Sequence, residues 1–298
     1  MNDTIRTGKT GFIALVGRPN TGKSTLLNTL LGQHLAAVSS KPQTTRKHLL
    51  GILTDADSQI ILLDAPGIHK SKIAIDASMD KSVERVLDDA DIIVCMADPT
   101  REQGEEDGMA ADRVLAAAKP TVVAVNKTDV ATREQIQACR EFYAARLPKA
   151  EFVEISALSE KQSQPLLLKL KAMLPTGPFL YDEDEVTDVY ERDIAAELIR
   201  ETLLEQLKQE IPHSMAVVVD KWSDKGSRIS IGATLYIERE GHKAIIIGRG
   251  GDRIKAIRVA SVRRIAEFTG KHIDLSLFVK VAPDWRSNRR FLNEIGME

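Results

Sequence analysis

Gly17-Arg18-Pro19-Asn20-Thr21-Gly22-Lys23-Ser24 carries the P-loop spacing G-x-x-x-x-G-K-[ST], and its flanks decide what that spacing means. The apolar run 12–16 before it reads as a buried strand. Residues 25–31 after it have helical periodicity, with Gly32 placed to stop the helix. Strand, glycine loop and helix in this order predict phosphate binding. Glycines let successive N–H groups turn inward around phosphate oxygens, and the helix N-terminus adds a favourable dipole. The expected nucleotide-binding residues here are Gly17, Asn20, Thr21, Gly22, Lys23, Ser24 and Thr25, with Lys23 reaching the β- and γ-phosphates and the Ser24 hydroxyl on Mg2+. The bland alternative is a tight strand-to-helix turn.

Outward from this loop, 298 residues suffice for two domains, each with its own core. The two cysteines, Cys95 and Cys139, show no metal or redox spacing, and Cys95 inside the apolar run 92–96 reads as a core residue. No disulfide framework is expected, and no apolar run approaches the ~20 residues that span a bilayer. The expected setting is the cytoplasm. Peripheral contact with the inner face of the membrane stays open.

Up to about residue 174, candidate strands (12–16, 47–53, 60–63, 91–97, 121–125 and 152–155) alternate with amphipathic stretches (76–88, 106–117, 133–145 and 163–173). The alternation predicts an α/β domain over 1–175, a mostly parallel six-stranded sheet with helices on both faces. Prolines, a glycine and an acidic run then mark a linker over 176–187. Asp188 is placed to cap a helix, with Glu191 three residues on, and Ile194, Leu198, Ile199, Leu203 and Leu207 form its apolar stripe. A hairpin follows over 215–219 and 229–237, then a strand at 242–247, a glycine loop, a helix to 268 and a last strand at 273–281. This 188–298 segment reads as a smaller α+β domain.

Asp64-Ala65-Pro66-Gly67 ends the strand 60–63. D-x-x-G there places a carboxylate beside the metal, through water, and a glycine N–H at the γ-phosphate. Asn126-Lys127-Thr128-Asp129 closes the next-but-one strand. A carboxylate at Asp129 fits the paired N1–H and N2–H2 donors of guanine, which adenine lacks, and an unpaired buried carboxylate rejects the wrong base. Ser156 and Ala157 end the following strand, with the Ala157 N–H available to guanine O6. Between P-loop and D-x-x-G lies Pro42-Gln43-Thr44-Thr45-Arg46. Thr45, with Thr44 as the alternative, is expected to complete the Mg2+ shell and release it after hydrolysis. Lys23, Thr45 and Gly67 are the expected catalytic groups, and Ser24, Thr45 and Asp64 the expected metal set.

Taken in order, GRPNTGKST, PQTTR, DAPG, NKTD and SAL resemble the translation-factor-related GTPases. PQTTR, LPTGPFLY and EIPHS narrow the resemblance to the bacterial Era GTPases, over essentially the whole chain. It implies a GTP/GDP switch with Mg2+ and a type II KH domain whose GXXG loop is Gly248-Arg249-Gly250-Gly251. It also implies as partners the 3′ region of 16S ribosomal RNA and the small ribosomal subunit, with a role in assembly of that subunit; a monomer is expected, though the sequence does not give the oligomeric state. From Gly241 onward twelve Lys/Arg face six Asp/Glu, a basic footprint that the near-neutral net charge of −2 conceals. Arg249, Arg253, Lys255 and Arg258 are the side chains expected on RNA, with a solvated helix face as the plain alternative.

Ile68 stands where Ras-like enzymes carry a water-orienting glutamine, so unaided hydrolysis should be slow. Asn20 leaves two readings open, a potassium ligand as in related GTPases or a residue that suits the loop. His69 is expected as a solvent-facing switch residue. Trp285 and Phe291 in the basic tail either stack on RNA or pack on the sheet. The rival functions are a small-molecule kinase, which has no use for N-K-x-D, and an RNA-binding scaffold, against which intact Lys23, Ser24 and Asp64 argue.

Overall fold

The computed structural model describes residues 6–38, 49–69, 74–207 and 215–294. Among the described residues, the chain divides into two compact units: 6–33, 49–69 and 79–188 in the first, and 34–38, 74–78 and everything from Val189 onward in the second.

In the first unit, β1 (Thr7–Val16), β2 (Leu49–Thr54), β3 (Ser58–Asp64), β4 (Ile92–Ala97), β5 (Thr121–Val125) and β6 (Glu151–Glu154) lie in the order β2-β3-β1-β4-β5-β6. All neighbours are parallel except β2, which is antiparallel to β3. β3 and β4 are buried at every residue, which is why they read as unbroken apolar runs. Between the strands run α1 (Lys23–Leu31), α2 (Ala74–Asp89), α3 (Glu105–Ala117), α4 (Arg133–Arg146) and α5 (Glu160–Met173). Val83 and Val86 of α2, Ala110 and Val114 of α3, and Cys139 and Tyr143 of α4 pack on the sheet face that carries Val16, Leu63, Cys95 and Val125. Alternate strand residues such as Ile13 and Leu15 point the other way, and α1 and α5 bring Leu26, Leu27, Leu166 and Leu170 to the core. Because the sheet is parallel, its carboxyl edge collects the loops after β1, β3, β4, β5 and β6.

The sheet has a seventh strand where six were expected. β7 (Thr176–Pro178) pairs antiparallel with the start of β1, Thr7 opposite Pro178 and Lys9 opposite Thr176. Residues expected to form a free linker are instead held on this unit. The buried Gln59 amide accepts from the N–H groups of Leu180 (2.7 Å) and Tyr181 (3.0 Å) and donates to the Tyr181 carbonyl (2.9 Å). Farther on, Ile52 N–H donates to the Val186 carbonyl (2.7 Å) and the Thr187 hydroxyl to the Leu50 carbonyl (2.6 Å). Proline and glycine mark the end of the βα alternation, but composition does not show that a buried glutamine needs backbone partners.

In the second unit, β8 (Met215–Asp224) and β9 (Arg228–Ile237) form the expected hairpin, and β10 (His272–Val281) pairs parallel to β9. Every second residue of β9 from Ile229 to Ile237 is buried. The stripe on α6 (Glu191–Gln206) is buried as expected, and α6 packs against α8 (Asp252–Thr269). Two expectations need correction. Asp188 is not the cap: α6 begins at Glu191 on Tyr190, whose carbonyl accepts from Asp193 and Ile194 N–H, because residues 186 and 187 are still hydrogen-bonded to β2. The segment 242–247 is not a strand but part of α7 (Glu240–Ile247). A short apolar run suits a buried strand or a helix equally by periodicity; only Ile246 of α7 is buried, and Gly248 closes the helix by donating to the Ala244 carbonyl (2.9 Å).

Candidate functional site

The loop after β1 has the backbone its sequence demands. Gly17 (φ 150°), Asn20 (φ 63°) and Gly22 (φ 97°) adopt positive φ, and α1 starts at Lys23. A Cβ on Gly22 would lie 2.3 Å from Asn126 Nδ2, so only glycine lets the two loops meet. Lys23 Nζ, buried, donates to the carbonyls of Gly17 (3.2 Å) and Arg18 (3.0 Å). Burial, opposed by the Asp64 charge, pushes its pKa down to about 8. The Ser24 hydroxyl donates to Asp64 Oδ2 (2.7 Å), and Asp64 is fully buried at the end of β3. A hydroxyl and a carboxylate meeting at a helix start are the hard oxygen donors that Mg2+ takes, so these residues fit that ion. Asp64 and Ser24, 40 positions apart, are thus brought together as expected.

Gly67 lies against the P-loop so closely that a Cβ would sit 2.9 Å from Pro19. Ile68 N–H donates to the Gly17 carbonyl (3.0 Å), while the Ile68 side chain is buried in the apolar core. His69 is half-buried, its Nδ1 2.9 Å from the Gly67 carbonyl. Thr44 and Thr45, with the whole Pro42 to Arg46 motif, lie outside the described residues, as does the EIPHS segment.

Asn126 joins three loops. Its Nδ2 donates to the Thr21 carbonyl (2.7 Å), and its Oδ1 accepts from Ala157 N–H (2.8 Å), so the N–H expected to be available to guanine O6 is already engaged by Asn126. Lys127 takes φ 61° and sends its ammonium back to the Asn20 carbonyl (3.0 Å). Thr128 fastens to the Ile155 carbonyl through its hydroxyl (2.9 Å), and the buried Ser156 carbonyl accepts from Ser163 Oγ (3.2 Å). The Thr29 hydroxyl fixes the Ala157 carbonyl (2.6 Å). Asp129 is left exposed, with its carboxylate open to a ligand. Thr25 is half-buried on α1.

The sequence did not single out Asp98, Asp107 or Tyr143, nor give Arg18 a role. Arg18, 1 % exposed, forms ion pairs with Asp98 (3.4 Å) and Asp107 (2.9 Å) directly behind the P-loop. The available signal was position: Asp98 follows β4 as Asp64 ends β3 and Asn126 follows β5, each a polar group at the carboxyl edge of a buried strand.

In the second unit, Gly248, Arg249, Gly250 and Gly251 link α7 to α8, with all three glycines at positive φ. A Cβ on Gly248 would lie 2.7 Å from that of Arg253, whereas Gly250 and Gly251 face open space. Arg249, Lys255 and Arg258 are exposed; Arg253 is too, though one of its nitrogens donates to the Ile245 carbonyl (3.0 Å). Arg263 pairs with Glu267 (2.9 Å) and Arg264 with Glu205 (2.6 Å), so part of the basic surplus is neutralised within the fold. Trp285 is buried with Ala216, Leu292, Tyr236 and Phe291, which settles its role as packing.

The family model described as 50S ribosome-binding GTPase matches residues 12–127, and the KH domain model matches residues 210–286. The GTPase Era of Lacticaseibacillus paracasei is 39 % identical over 287 residues, 96 % of each chain. A solved structure of an Aquifex aeolicus Era variant bound to GDP·AlF4− superposes with a TM-score of 0.91 at 34 % identity, covering 97 % of this chain and 99 % of that one. A structure of Era with MgGDPNP and nucleotides 1506–1542 of 16S ribosomal RNA gives a TM-score of 0.91 at 33 % identity and the same coverage. With the P-loop, the Asn126 junction and the GXXG loop all in place, the chain belongs to the Era family of GTPases.

Proposed function

We propose that this chain is a GTP-hydrolysing switch in the cytoplasm that binds 16S ribosomal RNA near its 3′ end and acts in assembly of the small ribosomal subunit. The reading assigns nucleotide chemistry to 1–175 and RNA binding to 188–298. The observation that carries it is the Asn126 side chain, which ties the P-loop to the Ala157 loop, with Asp129 exposed three positions on. The likeness over the full chain to Era bound to MgGDPNP and ribosomal RNA supports the RNA partner.

In this reading P-loop N–H groups and Lys23 hold the phosphates, and Asp129 accepts from guanine. Ser24, and Asp64 through water, would hold Mg2+, which when bound would offset negative charge on the phosphate oxygens. Gly67 N–H senses the γ-phosphate. Ile68, buried, orients no water, so hydrolysis is slow unless a partner supplies the missing group. Arg249, Lys255 and Arg258 approach the RNA backbone where Gly250 and Gly251 leave room.

The test is phosphate release by the full chain with Mg2+, with and without an RNA carrying the 3′ end of 16S ribosomal RNA, in competition with ATP. GTP turnover resistant to excess ATP, together with saturable RNA binding, is expected. Equal competition by ATP, or turnover without any RNA affinity, overturns the respective half.

A further inference from the structure

Behind the P-loop runs a chain of buried charges that the roles above leave unused. Asp98 Oδ1 accepts from Thr100 N–H (3.0 Å) and Oγ1 (2.6 Å). Its Oδ2 accepts from Lys127 Nζ (2.7 Å) and lies 3.4 Å from Arg18 Nη2. Arg18 Nε in turn donates to both Asp107 oxygens (2.9 and 3.1 Å), and Nη1 to the Pro19 carbonyl (3.2 Å). Asp107 also accepts from the Tyr143 hydroxyl (2.9 Å) and Gly104 N–H (3.1 Å). Arg18, Asp98, Asp107 and Tyr143 are each no more than 3 % exposed.

Two carboxylates thus balance one guanidinium and one ammonium. Burial alone would raise the Asp98 pKa, but hydrogen bonds from Lys127 and Thr100 hold it below the ordinary carboxylate value. Ion pairs this deep seldom add stability over apolar packing of the same shape; their established use is to fix one arrangement among several. The arrangement fixed here is specific. At one end the Lys127 ammonium sits on the Asn20 carbonyl, and at the other the ring of Tyr143 is embedded in the apolar core.

We propose that Asp98 is a positioning residue for guanine-nucleotide binding, tying the base loop through Lys127 to the phosphate loop through Arg18 so that the two bind as one preformed unit. The inference rests on the nucleotide-binding half of the function proposed above. Asp98 touches no nucleotide. It acts by denying Lys127 and the carbonyls of Pro19 and Asn20 any independent movement, so that binding spends little on ordering them.

Three consequences separate this role from general support of the fold. Asp98→Asn keeps the shape and the Thr100 contact but loses the charge, and should weaken GDP and GTP by the same factor, about tenfold or more. Equal factors follow because the γ-phosphate is not involved. Lys127→Met should weaken both by a similar factor, and the double variant should be no worse than the weaker single to within about threefold, since both break one link.

The experiment is a double-mutant cycle on the full chain, reading GDP and GTP dissociation constants with melting temperature alongside. Wild-type protein that fails to bind GDP overturns the nucleotide reading itself. Wild-type binding with Asp98→Asn within about twofold of it, or losses that multiply in the double variant, overturns this inference alone. Should Asp98→Asn fail to fold, Thr100→Val on the partly exposed turn replaces it: loss of the Oγ1 contact should weaken GDP about threefold, and unchanged affinity overturns the proposal.

Discussion

At Lys23, pH and nucleotide binding should meet. Burial holds its pKa at about 8 against an ordinary 10.5, and a polyphosphate beside it would restore the charged form. A lysine whose pKa rises on binding takes up a proton wherever the free protein has already lost it, so the uptake grows as pH rises through the free value and is small by pH 7. With a free value of about 8 and a bound value at or above the ordinary one, GDP should take up about 0.1 proton at pH 7 and about 0.75 at pH 8.5. Affinity should fall about tenfold between pH 7 and pH 9. Calorimetry in buffers of different ionisation enthalpy reads both numbers at once. Folding stability is the wrong readout. The buried Cys95 and Cys139 thiols are pushed up to about 12, so unfolding frees their protons above pH 9 and stability falls there. Lys23 alone acts in the opposite direction, raising stability from pH 8 to 10.5, because its folded pKa is the lower one. Uptake below about 0.2 proton at pH 8.5, or an affinity flat from pH 7 to 9, refutes the argument.

Asp129→Asn should shift preference from guanine to xanthine nucleotides, since an amide offers a donor to the xanthine O2; competition binding decides, and unchanged GTP selectivity removes Asp129 from the base site. Arg249→Asp with Gly250→Asp should weaken RNA at least about tenfold through charge reversal while GTP affinity holds, as gel shift and nucleotide binding would show. Trp285→Ala should cost about 3–5 kcal/mol in urea unfolding because the indole is 1 % exposed; a loss under about 1 kcal/mol contradicts its burial. Hydrolysis compared in potassium and sodium chloride at equal ionic strength decides between the two readings of Asn20: a potassium-specific gain makes it a ligand, and equal rates make it a loop residue.

The first unit was legible because its motifs state their own geometry. Gly17 and Gly22 take the positive φ that the spacing requires, and Asp64 meets Ser24 across 40 positions as the D-x-x-G placement implies. Strand cores of β3 and β4 are legible for the same reason, being apolar throughout. The Asp98–Arg18–Asp107 chain was not, because charged residues at 18, 98 and 107, two in loops and one in the first turn of a helix, look solvated until the fold converges them. The glycine loop of the second unit was found while the element before it was misread: Ala244 to Ile247 satisfies either period. Trp285 was ambiguous since basic and aromatic residues together suit stacking on RNA and packing equally, and only burial separates the two.

β7 bears on how the chain is made and how it can be cut. The last residue to pair with β1 is Pro178, and the last fastened to β2 is Thr187. During synthesis the nucleotide-binding sheet therefore stays incomplete until Pro178 has left the ribosome, and its fastening to β2 until Thr187 has. A protein ended at residue 175 would strand the Gln59 amide, fully buried in the whole chain, without its three backbone partners. A stop after Asp188 keeps them all.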